Sequence, residues 1–242
     1  MSRPLIFVGS RQCMMALANI AELNGIEIAG ILDHHYWGNT ESIGNIPIIG
    51  DERWLLDKDN IQAQTWLLEY DFFVANYWNG QQSKNLNIQK LRQDRINILE
   101  QSQARVINLI HPSVNIYKLT SKYQNVQLGK GIEIHDDCWI SLDHTKIGDY
   151  CSIQNNSRVG HDAILGKNVI VSPDAWMFDC EIGNDSFIGM SSMIDIIEVS
   201  RRENHLIRIG NNSSVWANSR IIRDVPGDSI YTNTNRILKK FI

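Results

Sequence analysis

In the second half of the chain, branched or long apolar residues recur every six positions. Neither the 3.6-residue period of an α-helix nor the two-residue alternation of a β-strand produces this spacing. A triangular coil of short strands does, because each face contributes one inward apolar residue and each corner requires a turn. The positions in phase are Ile147, Ile153, Val159, Leu165, Val171 and Met177, then, after a step of five, Ile182, Ile188 and Ile194, and later Ile209, Val215 and Ile221.

Glycines and small residues fill the other positions of this pattern. Glycine directly follows several of the apolar residues, as in Ile147-Gly148, and the fourth position after them is usually small. Tight corners need such residues, since glycine, asparagine and aspartate tolerate a positive φ. An earlier set joins the main phase after a one-residue slip: Leu128, Ile134 and Ile140. We therefore predict a three-sided parallel β-helix over residues 113–242.

Two segments interrupt the six-residue rhythm. Residues 195–208 are too many for one repeat, so we expect them to leave the coil as a loop or hairpin. The rhythm ends after Pro226, and residues 235–242 (NRILKKFI) are predicted to form a basic, apolar terminal helix.

The first half of the chain alternates strand-like and helix-like segments. Strands are predicted at 4–9, 27–32, 71–77 and 106–110, and helices at 12–23 and 85–103. Short apolar strands that alternate with helices indicate a parallel sheet with a small Rossmann-like topology. His111-Pro112 is the natural boundary, because the residue before a proline is disfavoured in a helix. The fold class is thus α/β over residues 1–112, followed by the β-helix.

Composition and charge narrow the classes of partner. Charged residues make up 21% of the chain, the net charge is −4 and the isoelectric point is near 6.0, so nucleic acid is not an expected partner. Four scattered cysteines contain no C-x-x-C pair, and the N-terminal apolar run is too short for a signal peptide or a membrane span. We expect reduced thiols and a cytoplasmic location.

The stretch VGHDAILG places a histidine beside an acid within the coil. His161 and Asp162 lie two and three positions after the inward Val159, so we expect both at a corner, facing outward. A lone outward histidine is usually solvated, but a neutral imidazole in a groove between subunits can accept a proton from an attacking amine or hydroxyl. Asp162 is a candidate to hold the imidazole tautomer, although adjacent residues on a strand point to opposite faces.

Four stretches carry a resemblance to a known family: IFVGS, GILD, LIHPS and, above all, IQNNSRVGHDAILGKNVIVSPDA. Together they resemble the hexapeptide-repeat sugar acyltransferases of bacterial glycan assembly, of the sialic-acid O-acetyltransferase and UDP-amino-sugar N-acetyltransferase type. This resemblance implies a left-handed winding of the β-helix, a homotrimer, acetyl-CoA as co-substrate, a nucleotide-linked amino sugar as acceptor, and no metal. It also implies that His161 is the general base and that a backbone N–H stabilises the oxyanion.

The resemblance assigns further residues in both halves. Gly9, Ser10, Arg11 and Asp33 occupy the positions expected to hold the nucleotide, although the family's glycine-glycine-histidine turn is altered here and Cys13 replaces its histidine. A tight turn and a capped loop would look the same. Gln154 stands where the family has an asparagine that contacts the acceptor, and Ile170 replaces a second family histidine. Near the C-terminus, Arg236 and Lys239 are candidates to meet the CoA phosphates, although exposed charge is often only solvated.

Two rival functions remain open, and a third is discounted. O-acetylation of a sugar is the nearest, because the same base serves an amine or a hydroxyl. A non-catalytic nucleotide-sugar-binding protein is the second, favoured by the altered Gly9–Cys13 turn. A metal hydratase of the γ-carbonic-anhydrase type is discounted, because its converging histidines need a spacing absent from His135, His144, His161 and His205.

Overall fold

The computed structural model describes residues 3–10, 14–75, 86–116, 126–141, 144–194 and 206–239. The chain divides into two compact units: residues 1–78 with 82–109, and residues 79–81 with 110–242. Within the described ranges, no helix is both long enough and apolar enough to cross a bilayer.

The first unit is built on a five-stranded sheet. Its strands are Leu5–Val8 (β1), Ile28–Leu32 (β2), Ser42–Ile43 (β3), Ile46–Gly50 (β4) and Asp71–Val74 (β5). They lie in the order β3-β4-β2-β1-β5, and all neighbours are parallel except the β3–β4 pair. Buried apolar side chains fill β1 completely, which is typical of a strand covered on both faces.

Helices connect the strands of this sheet. Their bounds are Met14–Leu23 (α1), Ile61–Glu69 (α2) and Leu86–Gln101 (α3), with a 3-10 turn at Glu52–Leu56. Helix α1 ends before Gly25, whose φ of +67° is the left-handed value that favours glycine at a helix terminus. Asn60 caps the start of α2, where its side-chain oxygen accepts a hydrogen bond from Ala63 N at 3.0 Å. The β-α-β alternation is found as predicted, whereas the β3–β4 hairpin, the 3-10 turn and α2 were not predicted.

The second unit is a parallel β-helix of three sheets, here called the first, second and third faces. The first face contains Asn115–Ile116, Trp139–Ile140, Arg158–Val159, Trp176–Met177, Met193–Ile194 and Arg220–Ile221. The second face contains Gln127–Leu128, Lys146–Ile147, Ile164–Leu165, Cys180–Ile182 and Ile207–Ile209. The third face contains Leu109–Ile110, Glu133–Ile134, Ser152–Ile153, Ile170–Val171, Phe187–Ile188, Ser214–Val215, Ser229–Tyr231 and Ile237–Lys239.

The six-residue pattern predicted the inward side chains of these faces. Every residue of the predicted phase from Ile147 to Ile221 is buried in one continuous apolar core. The one-residue slip is also confirmed, because Ile134 pairs with Ile153 and Ile147 pairs with Leu165. Ile182 pairs with Ile209, across a separation of 27 positions rather than the 18 of an ordinary coil. The coil thus continues after the predicted 195–208 interruption. Residues 195–205 lie outside the described residues, whereas Ile207 and Arg208, which were predicted to leave the coil, pair with Cys180 and Glu181 in the second face, so the predicted interruption extends too far.

Three features recur at the corners of the coil. Each corner contains one residue in the left-handed region, with φ between 55° and 60° at Asn156, Asp162, Asn168 and Asp174. Buried serines donate hydrogen bonds to carbonyls of the next coil, as from Ser157 Oγ to Ser172 O at 3.0 Å. The corner between the second and third faces, called the glycine corner, carries Gly129, Gly148, Gly166, Gly183, Gly210 and Gly227.

Two predictions about the ends of the coil are wrong. The segment 106–110 is a strand only at Leu109–Ile110, which belongs to the third face, while Val106 makes an isolated bridge to Phe72. The C-terminal tail contains no helix within its described part: Ile237–Lys239 pairs antiparallel with Ser229–Tyr231. A turn at Asn235, with φ of +60°, and packing of Ile237 against the coil core override the helical apolar spacing.

Candidate active site

The coil backbone fixes the position of His161. The chain leaves the first face at Val159, and Gly160 N donates a hydrogen bond to Met177 O at 2.6 Å. One position later, Asp179 N donates to His161 O at 3.0 Å. His161 therefore begins the corner between the first and second faces, here called the histidine corner, with its backbone held by the next coil.

The imidazole of His161 contacts two carboxylates through the same ring nitrogen. Its Nδ1 lies 3.0 Å from Asp179 Oδ1 and 3.3 Å from Asp162 Oδ2. The side chain keeps 48% of its surface exposed, so solvent or a substrate can reach the ring. A carboxylate at Nδ1 stabilises the tautomer with its proton on that atom, which leaves the Nε2 lone pair to accept a proton.

Asp162 has a structural role as well as its contact with His161. Its φ of +55° repeats the left-handed geometry of the other corners, which aspartate tolerates. Its second oxygen, Oδ1, lies 3.3 Å from Nδ1 of His144, one coil earlier. Asp162 thus bridges two histidines on the histidine corner.

Asp179 is the site residue that the sequence reasoning missed. Burial raises the pKa of its carboxyl group, the positive charge of His161 lowers it, and the negative charge of Asp162 raises it, with a net shift above the ordinary value. Asp179 follows His161 by 18 positions, the length of one coil, so counting one full turn upward from the histidine would have found it.

Aromatic side chains form a wall beside the histidine. The Phe178 ring lies 5.8 Å from the His161 ring, at an angle of 65°, and 6.2 Å from the Trp139 ring. Phe178 covers Gly160, because a Cβ atom added there would lie 1.8 Å from Phe178 Cδ1. Glycine at this position therefore makes room for the ring.

An open groove of about 360 Å³ lies on the other side of Asp162, along the second face. It combines apolar walls with polar and cationic groups. The lining residues are Gln127, His144, Lys146, Asp162, Ile164 and Leu206.

The other predicted residues of the second unit lie away from this corner. Gln154 is buried at the corner between the third and first faces, so the fold of the single chain does not bring it beside His161. Arg236 is exposed in the turn of the C-terminal hairpin, where its N–H donates to Thr232 Oγ1 at 3.2 Å. Lys239 is exposed on the last strand of that hairpin. Their roles in binding remain predictions.

At the corner that contains Gln154, His135 is buried next to an acid. The side chains of His135 and Glu133 are 6% and 5% exposed, and His135 Nε2 lies 3.9 Å from Glu133 Oε1. Burial alone would lower the pKa of His135, but the attraction of the Glu133 carboxylate and the charge of Asp136 outweigh it and raise that pKa above the ordinary value. Folding therefore makes this imidazole a stronger base than it is in the unfolded chain.

In the first unit, the predicted nucleotide-binding residues meet at the carboxyl ends of β1 and β2. Gly9 has a φ of +91°, and Ser10 Oγ donates to Asp33 Oδ2 at 2.6 Å. Arg11 lies outside the described residues. Asp33 is 1% exposed, and its Oδ1 also accepts from His35 N at 3.0 Å. Asp33 thus connects the segments that follow β1 and β2 through these hydrogen bonds. Contact between Asp33 and a ligand remains a prediction.

A buried ion network lies behind Asp33. Arg95, on α3, places one terminal nitrogen 2.9 Å from Asp33 Oδ1 and its Nε 2.7 Å from Glu52 Oε1. Nδ1 of His34 lies 2.7 Å from the same Glu52 oxygen. All three charged side chains are 1% exposed, so each depends on its partners. The sequence reasoning missed Arg95 and Glu52, because a polar-faced helix hides a buried arginine.

The loop that follows Asp33 packs within the first unit. Tyr36 packs against the apolar core of this unit, and the Trp37 ring meets the Trp54 ring edge to face at 5.3 Å. Both aromatic side chains therefore contribute to packing within the first unit.

The described cysteines are unsuited to nucleophilic catalysis. Burial raises the pKa of Cys138 to about 12, against the weaker opposing effect of backbone hydrogen bonds. Burial also raises the pKa of Cys180, and Cys151 is a buried free thiol. The thiolate form that would attack an acyl group is thus suppressed at Cys138 and Cys180, and burial keeps Cys151 away from an acyl donor.

Three clusters in the described residues have ligand atoms close enough to share a metal ion: Asp33/His34/His35, His34/Asp51/Glu52 and His161/Asp162/Asp179. None of them contains three histidines, the set that a γ-carbonic-anhydrase site requires. In the two clusters of the first unit, the Arg95 cation is already paired with Asp33 and Glu52.

The family model for bacterial transferase hexapeptide (six repeats) matches residues 144–177, the segment that carries His144, His161 and Asp162. This part of the coil consists of hexapeptide repeats. The match fits the left-handed winding that the resemblance implied, and the repeats extend on both sides of the matched segment.

Solved structures share the fold along almost the whole chain. A variant of perosamine N-acetyltransferase from Caulobacter crescentus, in complex with CoA and GDP-perosamine, is similar with a TM-score of 0.76 and 20% identity, over 97% of this chain and 96% of that chain. The acetyltransferase domain of PglB from Neisseria gonorrhoeae gives 0.75 and 19%, over 96% and 98%. WeeI from Acinetobacter baumannii gives 0.72 and 15%, over 97% and 99%. A search of curated proteins found no match.

Proposed function

We propose that the protein is an acetyl-CoA-dependent N-acetyltransferase that acts on a nucleotide-linked amino sugar in bacterial glycan biosynthesis. The observation that carries this proposal is His161, an accessible imidazole held at Nδ1 by two carboxylates on a hexapeptide coil. The shared fold adds support, because one similar structure is an N-acetyltransferase in complex with CoA and GDP-perosamine.

The chemistry follows from this arrangement. The amine of the sugar attacks the thioester carbonyl, and His161 Nε2 accepts the proton that the amine loses. The tetrahedral intermediate collapses, the C–S bond breaks, and the imidazolium returns the proton to the leaving CoA thiolate. Asp162 and Asp179 stabilise the imidazolium while it carries the proton. A backbone N–H is proposed to stabilise the oxyanion, and no metal or covalent acyl-enzyme is needed.

The two halves of the chain receive separate tasks in this proposal. Residues 1–112 form a Rossmann-like domain that binds the nucleotide sugar through Gly9, Ser10, Arg11 and Asp33, at the carboxyl edge where parallel sheets bind ligands. Residues 113–242 form the acyltransferase domain. There, Gln154 contacts the acceptor, and the exposed Arg236 and Lys239 meet the phosphates of CoA.

A homotrimer and a cytoplasmic location complete the proposal. Grooves between the coils of adjacent subunits would enclose an exposed residue such as His161. The free thiols of Cys138, Cys151 and Cys180 fit a reducing compartment.

The test is thiol release from acetyl-CoA, measured with UDP-, GDP- and dTDP-linked amino sugars and with the corresponding hydroxyl sugars. We expect turnover on an amino sugar, reduced about 100-fold or more in His161→Ala, because removing a general base typically costs that much. The matched control is His111→Ala, which removes a histidine outside the histidine corner and is expected to keep full activity. Turnover confined to hydroxyl sugars would establish O-acetylation instead. Binding of a nucleotide sugar without thiol release would leave the non-catalytic function.

A further inference from the structure

Side-chain ladders connect successive coils at two of the corners. A residue with positive φ in one coil donates its amide to the carboxylate of the corresponding residue one coil later. Three such Nδ2-to-Oδ1 pairs are Asn156–Asp174 at 2.6 Å, Asn168–Asp185 at 2.8 Å and Asn212–Asp228 at 2.7 Å. Each pair combines a donor with an acceptor, as a hydrogen bond requires.

The histidine corner breaks this pattern. Its corresponding residues in successive coils are Asp162 and Asp179, two carboxylates with no amide between them. Two ionised carboxylates in neighbouring rungs repel each other, and the charge of Asp162 does raise the pKa of Asp179. The missing donor is supplied from the side: His161 Nδ1 lies within 3.3 Å of both acids.

The two acids differ in what they can do for the imidazole. Asp179 is the nearer one, at 3.0 Å, and its side chain is 22% exposed, against 43% for Asp162. A charge that is less solvated interacts more strongly with its partner. Asp162 also divides its carboxylate between His161 and His144, while the hydrogen-bond partner described for the Asp179 side chain is His161.

We propose that Asp179, rather than the sequence neighbour Asp162, is the positioning residue that holds the proton of the neutral His161 ring on Nδ1. The amide-to-carboxylate ladder of the other corners is replaced here by two acids, so that the histidine becomes the donor of the rung. This arrangement keeps Nε2 unprotonated and ready to accept a proton. This inference deepens the proposed function. The expected effect on the rate of acetyl transfer rests on that function, whereas the tautomer of His161 can be measured whether or not the function is correct.

Asparagine substitutions separate the two acids without disturbing the corner, because asparagine tolerates positive φ. In Asp162→Asn, the new amide restores the usual ladder to Asp179, and Asp179 still contacts His161. In Asp179→Asn, the amide pairs with Asp162 and can donate to His161 Nδ1, which favours the opposite tautomer. Both variants are therefore expected to remain folded, with a melting temperature no lower than that of the wild type.

The experiment is long-range ¹H–¹⁵N NMR of the full-length protein labelled with ¹⁵N-histidine, with the His161 signals assigned by their loss in His161→Gln. We expect the Nδ1–H tautomer to dominate in the wild type, in Asp162→Asn and in the corner control Asp185→Asn. We expect the Nε2–H tautomer to dominate in Asp179→Asn. An unchanged tautomer in Asp179→Asn, or an equal change in Asp162→Asn, would overturn the proposal.

Kinetics add a second readout once an acceptor is known. Asp179→Asn should lower kcat by about 100-fold, as loss of a correctly held base does, with little change in KM for acetyl-CoA. Asp162→Asn should lower kcat by a clearly smaller factor, and an equal loss in the two variants contradicts the proposal. If no acceptor is acetylated, the proposed function fails, while the NMR result still decides whether Asp179 holds the ring.

Discussion

Replacing Gly148 with alanine tests the close stacking of the coils at the glycine corner. A Cβ atom on Gly148 would lie 2.5 Å from Gly166 O and 2.6 Å from Gly166 C, both of them backbone atoms of the next coil. An ordinary contact needs at least 3.4 Å, so the two coils would have to separate by about 0.9 Å. The hydrogen bond from Gly148 N to Leu165 O, 2.9 Å long, could not survive that displacement.

The size of the effect follows from these distances. Overpacking of this kind typically costs about 1–3 kcal/mol, and the lost hydrogen bond adds about 1 kcal/mol. Alanine restricts the unfolded chain more than glycine does, and this effect offsets about 0.4–1 kcal/mol of the loss in stability. We therefore expect Gly148→Ala to lower the free energy of unfolding by about 1–3.5 kcal/mol, which for a chain of this length lowers Tm by about 2–14 °C.

The assay is urea denaturation followed by circular dichroism, with Gly227→Ala as the matched control. Gly227 belongs to the same corner, but a Cβ atom there would lie 3.2 Å from its nearest neighbour, Asn211 O, so a small adjustment admits it. We expect the control to remain within about 0.5 kcal/mol of the wild type, as substitutions without a specific clash usually do. Equal denaturation midpoints for the two variants would refute the argument that backbone contact forbids a side chain at Gly148.

Three further predictions follow from buried groups. Arg95→Met leaves two buried carboxylates without their cation, so urea denaturation should show a loss of about 3–5 kcal/mol from the free energy of unfolding; a loss below about 1 kcal/mol would contradict the network. Since the folded-state pKa of His135 is raised, its contribution to stability is complete below the unfolded value of about 6.5 and is lost as pH rises through the folded value. Denaturation midpoints should therefore fall less between pH 6 and pH 8 in His135→Gln than in the wild type, and identical pH profiles would refute this. Iodoacetamide at pH 8 should leave Cys138, Cys151 and Cys180 unlabelled in the native protein and should label them in urea, as measured by mass spectrometry. Rapid labelling of the native protein at these three thiols would contradict their burial.

The sequence predicts the coil well because one physical requirement repeats. Every third of a turn needs an inward apolar side chain, so a single spacing locates the buried residues from Ile147 to Ile221. The C-terminal tail was predicted wrongly because NRILKKFI also satisfies a helical apolar spacing. What decides its structure is the edge strand Ser229–Tyr231, which offers unpaired backbone groups to the next segment.

The candidate site was only partly predictable, for a related reason. His161 and Asp162 are adjacent in the sequence, so a motif finds them. Asp179 lies one full turn, 18 positions, after His161, so no local motif contains both residues and the contact can be found only by counting along the coil. Arg95 and Glu52 are 43 positions apart and belong to different elements, and no periodic pattern connects them.

The glycine corner also limits where new chemistry can arise in this molecule. At Gly148, Gly183 and Gly210, a Cβ atom would lie within 2.6 Å of backbone atoms of the next coil. A side chain at any of these three positions would force neighbouring coils apart, so none of them can acquire a binding or catalytic group while the coil keeps its spacing. Evolution of new recognition in this molecule has to use the corner residues that already project into solvent.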